Sequence, residues 1–272
     1  MSLRVVLLPF CLLSQACIAA SPHEMAVGAQ SEQICAATTL NIIGRFLGVE
    51  GFGVRLTPDD AGIVTAAACK KNPAKPQITI AAVAYEAGKN DAKAFMVALL
   101  NESEGKVVAS YQGEVGEDAG MRVDPGSLWI DGAPYVLAPG VRAFGVDLTS
   151  GYIPHCGDGG SGAERTLYVQ QGDKLRPIFG LTMSTWHFLK GGNPRCIGSD
   201  QASEITIIEN TDLSISVAKT STNGYRDLVI TAASSEDGGQ GAGKQPFQYK
   251  VRYNGREYQS QGLTEGLDKW RQ

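Results

Sequence analysis

Residues able to do chemistry concentrate in one stretch, Thr149 to Glu164, which holds His155, Cys156, Asp158 and Ser161 among five glycines. A serine hydrolase needs a nucleophile, a base within hydrogen-bond reach and an acid that orients the base. Ser161, His155 or His187, and Asp158 supply those residue types. Their order does not supply the geometry. In Gly157-Asp158-Gly159-Gly160-Ser161-Gly162 the serine does not directly follow the aspartate, so its amide is not placed as half of an oxyanion hole. Gly160-Ser161-Gly162 also lacks the Gly-x-Ser-x-Gly spacing of a nucleophile elbow. No residue is therefore assigned a catalytic role. The same stretch reads as a glycine-rich loop restrained at Cys156, with Tyr152, Ile153, His155 and Asp158 as a candidate recognition loop. The rival reading has Tyr152 and Ile153 plug the edge of a β domain.

The remaining titratable groups add little. His23 lies near the start of the chain, and His187 follows Trp186 in a segment that reads as a strand end or short helix. A zinc site drawn from His155, Cys156, His187 and Cys196 is disfavoured. Adjacent His and Cys do not both face one tetrahedral ion, and no Cys-x2-Cys pair is present. Glu102, Glu104, Glu117 and Asp118 fall in expected turns, where solvated charge is ordinary. With Glu114 and Asp124 the latter two form an acidic patch able to steer a basic partner. No cofactor and no metal are expected.

Cysteine usage and the start of the chain set the compartment. Arg4, the apolar run Val5 to Leu13 and small residues ending at Ala19-Ala20 form the three parts of a secretory signal peptide over residues 1–20. Ser14 stands where a lipobox wants a Leu-like residue, which disfavours lipidation at Cys17. Four cysteines remain after cleavage: Cys35, Cys69, Cys156 and Cys196. An even number in an exported chain reads as two disulfides. Three connectivities are open, and local pairing, Cys35 with Cys69 and Cys156 with Cys196, is the expectation. Removing Arg4 with the leader leaves 23 basic against 28 acidic residues, and Lys70-Lys71 is the only basic pair. Nucleic acid is an unsuitable partner for such a chain, and no later stretch is apolar enough to span a membrane as a helix.

Two kinds of element must position these groups. Residues 21–76 read as helical. Ile34, Leu40, Ile43 and Leu47 recur near a 3.6 period, with Gly48 as the stop. Thr57-Pro58-Asp59-Asp60 starts a second helix that runs through Ile63 to Lys71 and ends at Asn72-Pro73. Residues 77–272 read as a β-rich domain. Strands are expected at Ile78–Tyr85, Phe95–Leu100, Lys106–Tyr111, Ser127–Ile130, Tyr135–Leu137, Ala143–Leu148, Thr166–Gln170, Pro177–Met183, Ile205–Ile208, Leu213–Ala218, Leu228–Ala232 and Phe247–Tyr253. Asp131-Gly132 reads as a turn, Ser234 to Lys244 as a loop, and Asn254-Gly255 as a type I′ hairpin turn. The fold class is α+β: a short helical segment, then a mainly antiparallel sandwich, barrel or propeller-like domain.

Asn223-Gly224-Tyr225-Arg226-Asp227-Leu228-Val229-Ile230, followed by Tyr249 to Tyr258, resembles a blade motif of FG-GAP and VCBS repeat β-propellers. The resemblance covers residues 223–258 and implies a hairpin in a sheet. The family's calcium loop does not carry over. Thr220, Ser221, Thr222 and Tyr225 stand at its acidic positions, and Asn223 and Asp227 alone are too few for a cation taking 6–8 oxygens. The expected function is an exported, non-catalytic protein-binding protein of the bacterial envelope, periplasmic or extracellular, such as an inhibitor or an immunity protein against a toxin enzyme. An envelope hydrolase with its site near residues 150–190 and a structural or assembly module are the alternatives. The exported protein is predicted to begin at Ala20 or Ser21 by N-terminal sequencing. Thiol titration under denaturant should give none before reduction and four after; free thiols before reduction would overturn the disulfide reading.

Overall fold

The computed structural model describes residues 33–55, 61–88, 91–118, 120–149, 157–191, 206–238 and 244–271. They form a mainly β protein with a short helix near its start, as the sequence implies. Helix α1 (Ala37–Leu47) buries Leu40, Ile42 and Ile43 and ends at Gly48, whose φ of 68° is the left-handed cap that glycine takes without steric cost. Gly44 is needed for close approach: a Cβ there would lie 2.6 Å from Cβ of Phe52.

The second expected helix is a strand. Of the stretch read as Thr57 to Lys71, residues 56–60 lie outside the described residues and the remainder enters β1 (Val64–Asn72). The sheet therefore begins at Val64 rather than at residue 77. Helix propensity loses to tertiary context here: Ala66 and Ala68 point into a β core that needs small side chains, while Val64 and Cys69 face α1. Asn72-Pro73, read as a helix stop, instead turns the chain into β2 (Lys75–Tyr85).

β1 and β2 continue through β3 (Ala92–Asn101) and β4 (Lys106–Gly116) as an antiparallel meander. A second antiparallel set comprises β5 (Leu128–Ala138), β6 (Val141–Leu148), β8 (Glu164–Gln171) and β9 (Lys174–Thr182). The eight strands form one nearly closed barrel in the order β1-β2-β3-β4-β9-β8-β6-β5. Ile80, Phe95, Val97, Ile130, Phe144 and Tyr168 fill its interior. On the outside of β2–β3, Val83, Met96 and Leu100 meet α1. Both faces of β2 and β3 are thus buried, which accounts for their nearly unbroken apolar runs. Asp131-Gly132 is not a turn. It lies inside the single strand β5, at a register shift between Asp131 and Tyr135 that works as a bulge.

Both seams between the two four-stranded sets are thin. β4 and β9 run parallel and share one bridge, Ser110 to Lys174. At the other seam, the Gln33 side chain takes the place of a strand partner. Its Nε2 donates to the Ile130 carbonyl (2.9 Å) and its Oε1 accepts from the Ile130 amide (2.7 Å). Lys70 Nζ of β1 also reaches the Ile130 carbonyl, at 3.5 Å, and lies 5.4 Å from the Trp129 ring centroid. Two residues beyond Gln33, Cys35 is bonded to Cys69 of β1 with Cα atoms 4.9 Å apart. That is the local pairing expected for these two cysteines; Cys156 and Cys196 lie outside the described residues.

A second sheet, ordered β13-β12-β11-β10-β7, covers the outer face of the second set. It comprises β7 (Gly159–Ser161), β10 (Ser184–Lys190), β11 (Ile207–Thr222), β12 (Tyr225–Asp237) and β13 (Phe247–Val251). Leu137, Leu167, Val169 and Ile178 of the barrel pack against Leu213, Leu228, Ile230 and Val251. β11 joins the two strands expected over 205–218 into one, and β12 runs on through residues 234–237, which the sequence reads as loop. The tight hairpin turn lies at Asn223-Gly224, both with positive φ, between the paired Thr222 and Tyr225. Asn254-Gly255 instead belongs to a four-residue loop closed by the Tyr253–Tyr258 bridge, with the Asn254 side chain accepting from the amides of Arg256 and Glu257. Helix α2 (Gln261–Arg271), unforeseen in the sequence, buries Leu263 and Leu267 in the same core.

Gln33→Ala should therefore destabilise the protein by about 1–3 kcal/mol, because it strands the buried amide of Ile130 and leaves its carbonyl only the long contact to Lys70. Denaturant unfolding measures this; a loss no larger than that of an ordinary surface substitution would show that the amide does not close the seam.

Candidate functional site

One end of the barrel opens into a cavity of about 350 Å³, at the small end of the range for ligand sites. Local turns build its rim. Asn72 Oδ1 accepts from the Ala74 amide (2.9 Å) and shapes the β1–β2 turn. Gly132 in the β5 bulge lies so close to that turn that a Cβ would sit 3.1 Å from Cγ of Pro73. Gly140, with φ of 75°, turns β5 into β6. The floor is apolar, formed by Ile78, Ile80, Leu99, Val108 and Phe144. Arg142 shares the inward face of β6 with Phe144, two residues away, and its Nη2 donates to the Gly132 carbonyl (2.8 Å). The side chain of Lys75, exposed on β2, has no ion-pair or hydrogen-bond partner among the described residues. Lys75 and Arg142 both line the cavity, and no carboxylate does among the described residues.

Those residues singled out in the sequence that the structure describes lie elsewhere. Tyr152, Ile153 and His155 of the candidate recognition loop are outside the described residues. Asp158 is exposed, and its carbonyl accepts from the Phe188 amide (3.0 Å). Ser161 sits on β7 opposite Thr185, whereas His187 sits opposite Gly159. Serine and histidine thus share a face but are offset by two residues, and no hydrogen bond joins them among the described residues. The imidazole turns the other way, toward Glu209 of β11, with Nε2 3.3 Å from Oε2. Glu209 is 2% exposed, and Lys244 Nζ lies 3.3 Å from its Oε1. Oε2 accepts no well-angled hydrogen bond among the described residues. Sequence spacing had offered Asp158 as the partner of a histidine; register makes it Glu209.

Some charged groups away from the cavity are engaged with one another. On the outer face of the barrel Arg165 grips Asp147 with two hydrogen bonds (2.6 and 2.7 Å) and donates to Asp131 (2.6 Å). Tyr135 also donates to Asp131 (2.6 Å). Burial opposes the Arg165 charge, but Asp147 and Asp131 outweigh it and hold the guanidinium pKa up. Burial, then Asp131, pushes the Tyr135 hydroxyl up. Gly145 leaves room for this network, since a Cβ would meet Arg165 at 3.0 Å. Lys93 is held between Glu86 (3.0 Å) and Glu117 (2.7 Å). The buried Asp227 accepts from the hydroxyls of Thr220 (2.6 Å) and Thr222 (2.7 Å). Two of the residues that break the calcium pattern are therefore what satisfies this carboxylate. No group of three metal-ligating side chains occurs among the described residues, and no helix among them is long and apolar enough to cross a membrane.

The sequence reading missed Lys75 and Arg142. A signal for Arg142 existed: it stands on the inward face of a strand that is otherwise apolar on that face.

Arg165→Leu should cost about 3–5 kcal/mol, because it leaves two largely buried carboxylates without their cation. The triple variant Arg165→Leu/Asp131→Asn/Asp147→Asn should recover part of that loss in urea unfolding. No recovery would mean that the arginine acts through packing.

Comparison with known proteins gives no match: no family model fits the chain, and no curated protein or solved structure is significantly similar to it.

Proposed function

We propose that this chain is an exported, non-catalytic binding protein and that the barrel mouth is its ligand site. The observation that carries the reading is the cavity, with an apolar floor, two cations at its rim and no carboxylate in its lining among the described residues. Sites of this kind recur at the mouths of β-barrels, where the strands supply a rigid wall and the turns supply polar groups. The Cys35–Cys69 bond supports a location outside the reducing cytosol.

The narrower reading, a protein-binding inhibitor or immunity protein of the envelope, draws on a different surface. Ile34 (76% exposed) and Phe46 (49%) leave apolar groups in solvent at the stapled N-terminal helix. The hydrolase alternative draws on His187 and Glu209, with Ser161 offset from that histidine by two residues.

The test is native mass spectrometry of the protein taken from its own compartment, followed by denaturation. A small-molecule adduct should be present in the wild type and absent from Val108→Phe, which fills the cavity from a half-buried lining position. A ligand-free wild type whose melting temperature no small molecule raises would overturn the site.

A further inference from the structure

From the construction of the mouth we infer that its ligand is a small aliphatic carboxylate, held with its anionic head between Lys75 and Arg142 and its tail on the apolar floor. This rests on the reading of the mouth as a ligand site and adds the ligand's chemistry.

Charge distribution is the first argument. The chain carries more acidic than basic residues, yet the cavity lining reverses that balance. A concave site with one sign of charge above low-dielectric walls concentrates ions of the opposite sign. Arg142 is fixed rather than free: one N–H holds the Gly132 carbonyl, and the rest of the guanidinium fork has no partner among the described residues. A planar fork with vacant donors matches the geometry of a carboxylate. Lys75 contributes an unpaired point charge. Elsewhere in the described residues, Arg165 and Lys93 are neutralised by carboxylates at 2.6–3.0 Å. At the mouth two cations share one concave lining without such a partner.

Apolar contact is the second argument. Ile78, Ile80, Leu99 and Phe144 are buried core residues that also border the cavity. A bare inorganic anion would leave this floor in contact with water, whereas an aliphatic tail covers it. The cavity volume limits that tail to a short one.

Topology is the third argument. Lys75, Leu99 and Val108 come from the β1–β4 set, and Arg142, Phe144 and Gln170 come from the other. A ligand touching both cations spans the two sets, which are otherwise joined by thin seams. Binding should therefore raise the melting temperature of the whole barrel by mass action.

The experiment titrates the protein calorimetrically with octanoate, 1-octanol, octylamine and acetate in about 0.15 M salt, where exposed charges are screened. Octanoate should bind at least about tenfold more tightly than each of the others. Lys75→Ala and Arg142→Gln should each weaken octanoate by about tenfold and leave octanol unchanged. Lys219→Ala, an exposed lysine on β11, should change nothing. Lys75 is exposed and unpaired, so its variant is free of folding defects. If octanol binds as well as octanoate and Val108→Phe abolishes both, the anionic head is wrong and the ligand site stands. Acetate equal to octanoate overturns the tail. If none of the four binds, or octanoate binds equally well to Val108→Phe, both the ligand class and the site fall.

Discussion

The barrel is two antiparallel four-stranded sets held edge to edge, and its closure depends on how those edges are joined. A free strand edge exposes backbone donors and acceptors that must find partners. At β4–β9 a single bridge does the work. At β1–β5 the partner is a glutamine side chain, because an amide carries the same donor and acceptor as a peptide group. Gln33 makes both hydrogen bonds of one strand residue to Ile130. The segment that delivers it is fixed two residues later by the bond from Cys35 to β1. Thus the disulfide staples the helix and also holds the closing group in register with the edge it closes.

Outside the barrel, each set is buried by a different partner. Helix α1 covers the β1–β4 set, and its tether is polar as well as apolar: Thr39 donates to Glu102, which Lys71 of β1 also holds. Lys71 first, then Thr39, holds the Glu102 carboxyl below its usual range, so this tether is present at neutral pH and is lost as pH falls through the folded pKa. The second sheet and α2 cover the other set through Leu167, Val169 and Ile178. Where that apolar cover stops, the Arg165 network takes over the outer face. A bidentate arginine between two aspartates adds less by its net energy than by its intolerance of misplacement, since any one charge left unpaired is costly.

The strands were legible in the sequence because most bury one face, and the alternation survives in residues such as Leu213, Ser214 and Ile215 of β11. Three kinds of information were not. Ala66 and Ala68 read as helix because alanine favours it; only the neighbouring Phe95 and Phe144 of the barrel interior explain why small residues belong in a strand there. Asp131-Gly132 and Asn254-Gly255 carry turn residues, yet one is a bulge and the other part of a wider loop, while Asn223-Gly224 makes the tight turn. Which Asn-Gly pair turns tightly depends on the register of the strands on either side. Helix α2 was hidden by Gly262 and Gly266. Each is small for a reason outside the helix, since a Cβ would meet Tyr249 or Phe247 of β13. The candidate site fared worse, because a cavity between two sets of strands leaves no local motif. Lys75 looks like an ordinary surface charge, and the inward position of Arg142 gains its meaning only when closure brings the two, far apart in sequence, to one rim.

That separation also explains why an ion pair does not fill the mouth. The interior of a small barrel is normally packed by its own side chains, and here the packing is complete at mid-height, where Ile80, Ile130 and Val97 are fully buried. Toward the β1–β2 and β5–β6 turns the rim is made of residues that turn and bulge geometry dictates: Asn72, Pro73 and Gly140 in the turns, and Gly132 in the β5 bulge. None of these brings a large apolar side chain or a carboxylate. Turn chemistry thus leaves space at the rim, and the inward alternation of β6 places Arg142 beside it. A carboxylate from the chain would have to replace one of these turn residues and lose the turn. The anion that completes the rim without disturbing those turns is one that arrives from outside.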